Sequence, residues 1–329
     1  MKKIINLIMI FVLLVSFAFG LSSCGKEEEQ TEKDDVVIRV GSLKGPTSIG
    51  LLNLMSSAEQ GNTTQKYQFT METQGSTLSA MMVQKSLDIA LVPANLAANL
   101  YNKTNGNIVV LNINTLGVLY CVTGDTGIES MSDLAGKQII TTGQGSTPEF
   151  AIKYLMSKLN ITDYSLEFKG EATEVAAILK NDPTKVAILP QPFVTVATKQ
   201  NSDLKVAFSL NDEWNNVASG ESSLVTGVTI VRKDFFQEHE TAVLNFMADH
   251  AQSVSKVLED IDTTASLMVS NGIIANEVIA KAAIPFCNVV SISGADMKTK
   301  LSGYLKTLFD LAPLSIGGAM PADDFYLVK

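Results

Sequence analysis

The sequence predicts an α/β protein made of two βαβ lobes joined by two β-rich crossings, and three observations carry that prediction. β-branched runs alternate with helical patterns between Val36 and Ser209, as parallel strands connected by helices do. Two longer extended stretches, Asn107 to Val122 and Leu224 to Arg232, stand outside the alternation, which restarts after the first of them. The tetrapeptide Gln-Gly-Ser-Thr occurs at 74–77 and again at 144–147, each time after a strand pattern and at the start of a helical one. Each copy is followed by helix, strand, Pro and helix, so two related lobes are the economical reading. With 329 residues, 46% of them apolar and 18% charged, the chain has room for more than one core of ~100–200 residues.

The first residues are expected to be removed. Lys2 and Lys3 precede an apolar run from Ile4 to Phe19, followed by Gly20-Leu21-Ser22-Ser23-Cys24. A charged start, an apolar run shorter than the ~20 residues of a spanning helix, and a small-residue cleavage site make a signal peptide. Leu21-Ser22-Ser23-Cys24 resembles the bacterial lipobox, whose cysteine is lipidated and becomes the new N-terminus. Residues 1–23 therefore read as a lipoprotein signal peptide and Cys24 as the lipidated residue. Residues 24–35, with the run GKEEEQTEKDD, read as a charged tether holding the body at the extracytoplasmic face of the cell membrane.

The body is expected as lobe 1 over 36–115 and 228–329, and lobe 2 over 116–227. In lobe 1, strand Val36–Gly41 leads through the loop Ser42–Thr47 into a helix reaching about Glu59, with Pro46 in its first turn. Strand Tyr67–Met71, a helix from Gly75 to about Lys85, strand Leu87–Val92 ended by Pro93, and helix Ala94–Tyr101 follow. In lobe 2 the order is strand Lys137–Thr142, helix Pro148–Leu159, strand Leu166–Lys169, helix Ala172–Lys180, strand Val186–Pro190, helix Phe193–Thr198 and strand Lys205–Ser209. After Arg232 the chain reads as nearly all helical to Leu311 and is expected to pack back onto lobe 1. Each crossing holds a glycine, Gly117 and Gly227, which serves either as a hinge or as relief where strands crowd.

Charge and motif content exclude several functions. The net charge is −9 and the only arginines are Arg39 and Arg232, which is the wrong balance for nucleic acid. Cys121 and Cys287 lie in apolar runs and read as two buried inert thiols, with one disulfide as the alternative. His239 and His250 fall in one predicted helix within a charged surface pattern, with no Cys or acid spaced to complete a metal site. No G-x-S-x-G elbow, P-loop or H-E-x-x-H occurs, so no catalytic group, metal or cofactor is expected.

The candidate binding residues sit in strand-to-helix loops. Gly, Ser and Thr at a helix start present backbone N–H groups and hydroxyls to an anionic or carbonyl oxygen, at the carboxyl ends of the strands where α/β proteins bind ligands. These are Ser42, Lys44, Gly45 and Thr47 after the first strand, Gln74, Gly75, Ser76 and Thr77 after the second, and Gln144, Gly145, Ser146 and Thr147 in lobe 2. Gln191 follows the strand ending at Pro190, and Lys44 is the only cation near any of these loops in sequence. Helix capping is the competing role for Ser76, Thr77, Ser146 and Thr147, with Glu149 placed for a capping box. Trp214 either stacks on a ligand or packs at a loop.

The segment Gly75-Ser76-Thr77…Leu87-Asp88-Ile89-Ala90 resembles the signature of type II periplasmic binding proteins. Ser132-Asp133-Leu134-Ala135-Gly136-Lys137, followed by a strand and the second Gln-Gly-Ser-Thr, is similar to the D-L-x-G-K start of their second lobe. The likeness is strongest to the nitrate/sulfonate/taurine and thiamine-precursor group. It implies a ligand cleft between the lobes and an extracytoplasmic receptor of an ABC importer. Such a receptor, a monomer without enzymatic activity, hands a small organic or oxyanionic solute to a permease with its ATPase. The alternatives are an enzyme on the same fold acting on a small aromatic acid, as in the menaquinone pathway, and a sensory or adhesive lipoprotein. The histidine-rich site of the thiamine-pyrimidine synthases that share this fold is not one this chain can supply.

Overall fold

The computed structural model describes residues 35–218 and 222–328. The signal peptide, Cys24 and all of the tether but Asp35 lie outside the described residues.

The alternation seen in the sequence becomes, in order, β1 (Val37–Leu43), α1 (Pro46–Ile49), α2 (Leu52–Glu59), β2 (Lys66–Glu72), α3 (Gly75–Val83), β3 (Ile89–Pro93), α4 (Ala94–Lys103) and β4 (Ile108–Leu116). Then come β5 (Leu119–Thr123), β6 (Gln138–Thr141), α5 (Thr147–Lys158), β7 (Ser165–Phe168), α6 (Ala172–Asn181), β8 (Val186–Pro190), α7 (Phe193–Gln200), β9 (Lys205–Ser209) and α8 (Leu210–Ala218). The chain closes with β10 (Val225–Arg232), α9 (Lys233–Glu238), α10 (Glu240–Glu259), α11 (Ile261–Ser270), α12 (Glu277–Ala283), β11 (Val289–Ile292) and α13 (Gly294–Leu311).

Two sheets form, one of six strands in the order β11-β4-β10-β3-β1-β2 and one of five in the order β7-β6-β8-β5-β9. In each, three parallel strands are followed by an antiparallel strand that has just crossed from the other sheet: β10 beside β3 in the first, β5 beside β8 in the second. The two lobes therefore repeat one topology, as the duplicated tetrapeptide implies. Apolar side chains fix the register: Val40 of β1 lies opposite the half-buried Phe69 of β2 and the buried Ile89 of β3, and Cys121 of β5 lies opposite Ile188 of β8. A shift of one residue would turn these side chains to the other face. The central strand β3 is apolar on both sides and buried along its whole length between helices.

Three expectations are corrected. The single helix after β1 is two, separated at Gly50 and Leu51. The region after Arg232 includes a strand, β11, whose Val289 and Ile292 pair antiparallel with Thr115 and Ile113 at the outer edge of β4. Residues 210–218 form α8, so Trp214 is a fully buried helix residue rather than a loop residue; its indole N–H donates to Ser222 Oγ at 2.9 Å. Tyr154 and Tyr304 pack against it, at ring centroid distances of 4.2 and 5.5 Å.

His250 is corrected too. It is fully buried, because it belongs to the α10 stripe Val243, Phe246, His250, Ser253 and Val257, which faces the first sheet and helices α1 and α2 rather than solvent. Cys121 and Cys287 are free and buried, and burial pushes both thiols up to about 12.

Candidate functional site

The two Gln-Gly-Ser-Thr copies meet at one helix end. Asn95, in the first turn of α4, donates from Nδ2 to the carbonyl of Gly145 at 3.1 Å, so the loop at the carboxyl end of β3 touches the loop at the carboxyl end of β6. Gly75 lies beside the next residue of the same turn, where a Cβ on it would come 3.0 Å from Leu96 Cδ2. Each copy is set differently on its own helix. In the first, Gln74 is the N-cap of α3 and Gly75, Ser76 and Thr77 form its first turn; Gln74, Ser76 and Thr77 are exposed. In the second, Ser146 is the N-cap of α5 and Thr147 its first residue; Gln144 and Gly145 are exposed and Thr147 is buried.

Capping at α5 is done by Glu149, not by Ser146. The Glu149 carboxylate accepts from the N–H of Gly145 at 2.6 Å and pairs with Lys153, whereas Ser146 makes no side-chain cap bond. Burial opposes ionisation of Glu149, but these two partners outweigh it and hold the carboxyl below its usual range. The positive end of α5 thus already carries an anion.

The loop after β1 turns its hydroxyls inward. Thr47 Oγ1 donates to Leu43 O at 2.8 Å, and Ser48 Oγ lies 2.7 Å from Leu43 O and 3.0 Å from Ser42 Oγ. Ser42 and Thr47 are buried, so their hydroxyls tie the turn into α1. Gly45 adopts φ 134°, a conformation L side chains rarely take, with open space where a Cβ would point. Lys44 is exposed and its Nζ lies 3.3 Å from the point a Cβ on Gly272 would occupy, over the turn that ends α11. Gln191 is buried and its Oε1 accepts from the N–H and the hydroxyl of Thr195, starting α7.

Sequence reasoning missed three residues at the seam. Asn95 also donates from Nδ2 to Ser315 O at 3.4 Å, and the Tyr304 hydroxyl lies beside Thr147. Asn95 carried a legible signal, the lone amide in the apolar run Leu91-Val92-Pro93-Ala94-Asn95-Leu96-Ala97. Tyr304 and Ser315 carried none, since only the folded chain brings α13 and the turn after it to the other lobe.

Both arginines are engaged elsewhere. Asp88, which precedes β3, accepts from the backbone N–H and Nε of Arg39, each at 2.9 Å, and from Arg232 at 2.8 Å; Arg232 also donates to Leu87 O. Burial works against the Asp88 carboxylate, yet these donors hold it below the usual range. This cluster sits at the opposite end of β3 from Asn95. Among the described residues no group of three His, Cys, Asp or Glu is arranged to hold a metal ion, and no helix is long and apolar enough to cross a membrane.

The geometry is that of the two-lobed periplasmic-binding-protein fold. An ABC transporter protein from Parabacteroides distasonis superposes with a TM-score of 0.75 at 23% identity, over 90% of this chain and 100% of that one. The aliphatic sulphonate binding protein SsuA of Escherichia coli gives 0.69 at 11% identity, over 87% of this chain and 91% of that one. The ligand-binding component of an ABC-type import system from Staphylococcus aureus gives 0.66 at 16% identity, over 89% and 96%. No curated protein matches the chain. By sequence the chain belongs to the family described as menaquinone biosynthesis (VitK2_biosynth), whose model matches residues 48–281.

Proposed function

We propose that this protein is an extracytoplasmic solute-binding protein of an ABC importer, anchored through Cys24 and taking a small organic solute between its lobes. The observation that carries this reading is the meeting of both Gln-Gly-Ser-Thr loops at the first turn of α4, one from each lobe. Donors from two bodies converge on one place only when the bodies approach, so a solute held there favours the closed form, which a permease can then recognise. The lobe boundaries 36–115 with 228–329 and 116–227 belong to this reading, as do Gln74, Ser76, Thr77, Gln144, Ser146 and Lys44 as accessible contact residues. Ser42, Thr47 and Gln191 act behind them by shaping the loops. The importer likenesses support the fold on which such a receptor is built.

The test is small-angle scattering on protein stripped of co-purified small molecules by unfolding and refolding, measured alone and after return of the small-molecule fraction. Compaction on return is expected, and an unchanged radius of gyration would remove domain closure from the account.

The family's description favours a second reading, an enzyme acting on a small aromatic acid. Mass spectrometry of the returned fraction separates the two: a receptor gives back the same molecule, whereas an enzyme gives back another.

A further inference from the structure

The seam between the lobes is polar, buried and unsatisfied. Asn95 is 4% exposed, Thr147 2% and Tyr304 0%, and Asn95 Oδ1, Thr147 Oγ1, Tyr304 OH and the neighbouring Ser315 Oγ are all buried without a hydrogen-bond partner in the described structure. The amide orientation of Asn95 is fixed, since its Nδ2 faces two carbonyls, Gly145 O and Ser315 O. Its Oδ1 is therefore an acceptor awaiting a donor. Tyr304 and Thr147 lie side by side without a bond of ordinary geometry between them, and each hydroxyl has a proton to give. Buried polar groups are nearly always paired, so four unpaired ones around two helix N-termini mark a place whose partner comes from outside the chain.

The charges around this place decide what the partner is. A strongly anionic group is ordinarily held by arginine, and both arginines are committed to Asp88 at the far end of β3. The α5 N-terminus, the other natural anion site, already receives the Glu149 carboxylate through Gly145. A second negative group would meet that carboxylate, while a cation would meet two helix N-termini. What remains is an uncharged group that both donates and accepts.

We infer that Asn95, Thr147, Tyr304 and Ser315 form a subsite for an uncharged hydroxyl or amide function of the solute, donating to Asn95 Oδ1 and accepting from the Tyr304 and Thr147 hydroxyls. This rests on the solute-binding reading above and narrows it from oxyanions to neutral polar molecules.

Matched pairs of probes that differ only in charge test it: nicotinamide with nicotinate, benzamide with benzoate, and methanesulfonamide with methanesulfonate. Each is titrated at millimolar concentration into stripped wild-type protein, Tyr304→Phe and Thr147→Val, followed by thermal unfolding and calorimetry. Neutral members are expected to raise the melting temperature where their anions do not, as a native-state ligand must. Each variant should weaken that binding about threefold to tenfold, the worth of one neutral hydrogen bond. Without probe, both variants should melt no lower than wild type, because the deleted hydroxyl has no partner to lose.

Stabilisation by the anions in preference to the amides would overturn the uncharged subsite while leaving solute binding standing. No response to any pair, a response unaltered in both variants, or a lowered melting temperature of both probe-free variants would overturn the subsite itself. Failure of the parent reading shows separately, as scattering that does not change on return of the co-purified fraction.

Discussion

His250 shows how one side chain couples the core to pH. Its Nδ1 faces Asn112 Nδ2 at 3.3 Å, so Nδ1 accepts and the proton of the neutral ring sits on Nε2, which has no hydrogen-bond partner. Burial pulls its pKa from 6.5 down to about 4. Between those values the unfolded chain binds a proton that the native ring refuses. Stability contributed by the neutral ring is complete above pH 6.5, declines as the pH falls towards 4, and changes no further below it, a total of roughly 3 kcal/mol. Denaturant titrations across this window should show that slope, and His250→Gln should flatten it; an equal slope in the variant would place the proton uptake elsewhere. The sequence held the clue, since His250 falls in the apolar spacing 243, 246, 250, 253, 257. The charged residues between those positions obscured it, because they describe the opposite face of the same helix.

At the scale of elements, strand and helix order was legible wherever a β-branched run met a glycine or proline stop. Val186-Ala187-Ile188-Leu189-Pro190 is found as β8, ending at its proline as read. The misreadings have a common cause. Residues 210–218 and 289–292 take their state from what covers them: Trp214 from Tyr154 and Tyr304, and Val289 from the free edge of β4. Such long-range partners leave no mark on local spacing. The start of α5 is the sharpest case, because the sequence offers Ser146 and Glu149 as a capping box while the structure uses only the glutamate, one residue upstream. Ser146→Ala should therefore change stability by less than about 0.5 kcal/mol, whereas Glu149→Ala should cost about 1 kcal/mol. Urea unfolding of the two variants measures both. If Ser146→Ala is the more damaging, the carboxylate is not the cap.

At the scale of the molecule, the repeated strand order and the two crossings were readable, but the seam was not, because its polar residues come from α4, α5, α13 and the turn that follows α13. The anchor is the simplest molecular-scale expectation to test. Cys24→Ala should abolish labelling by radioactive palmitate and shift the protein out of the membrane fraction, and retention of both would show that Cys24 is not the lipidated residue.

The crossings allow a finer test, since each glycine sits where another residue crowds it. A Cβ on Gly117 would lie 2.5 Å from Asn211 Oδ1, and one on Gly227 would lie 2.4 Å from Asn114 Oδ1 and 2.5 Å from Thr47 Cγ2. Gly227 also lies at register shifts in the pairing of β10 with β4, where a strand bends. Both positions thus have a packing reason to be glycine that owes nothing to motion. At Gly117 the crowding comes from a single side chain of α8, so the two roles separate cleanly. Gly117→Ala should cost about 1–3 kcal/mol by overpacking, and adding Asn211→Gly, which removes both the Oδ1 and the Cβ that lie 2.5 and 2.8 Å from the new Cβ, should restore most of it. With stability restored, a hinge role predicts that the double variant compacts less than wild type when the co-purified fraction is returned, because alanine narrows the dihedral range the crossing must traverse. Full compaction in the restored double variant would assign Gly117 to packing alone and move the bending to the second crossing, where Gly227 lies in β10.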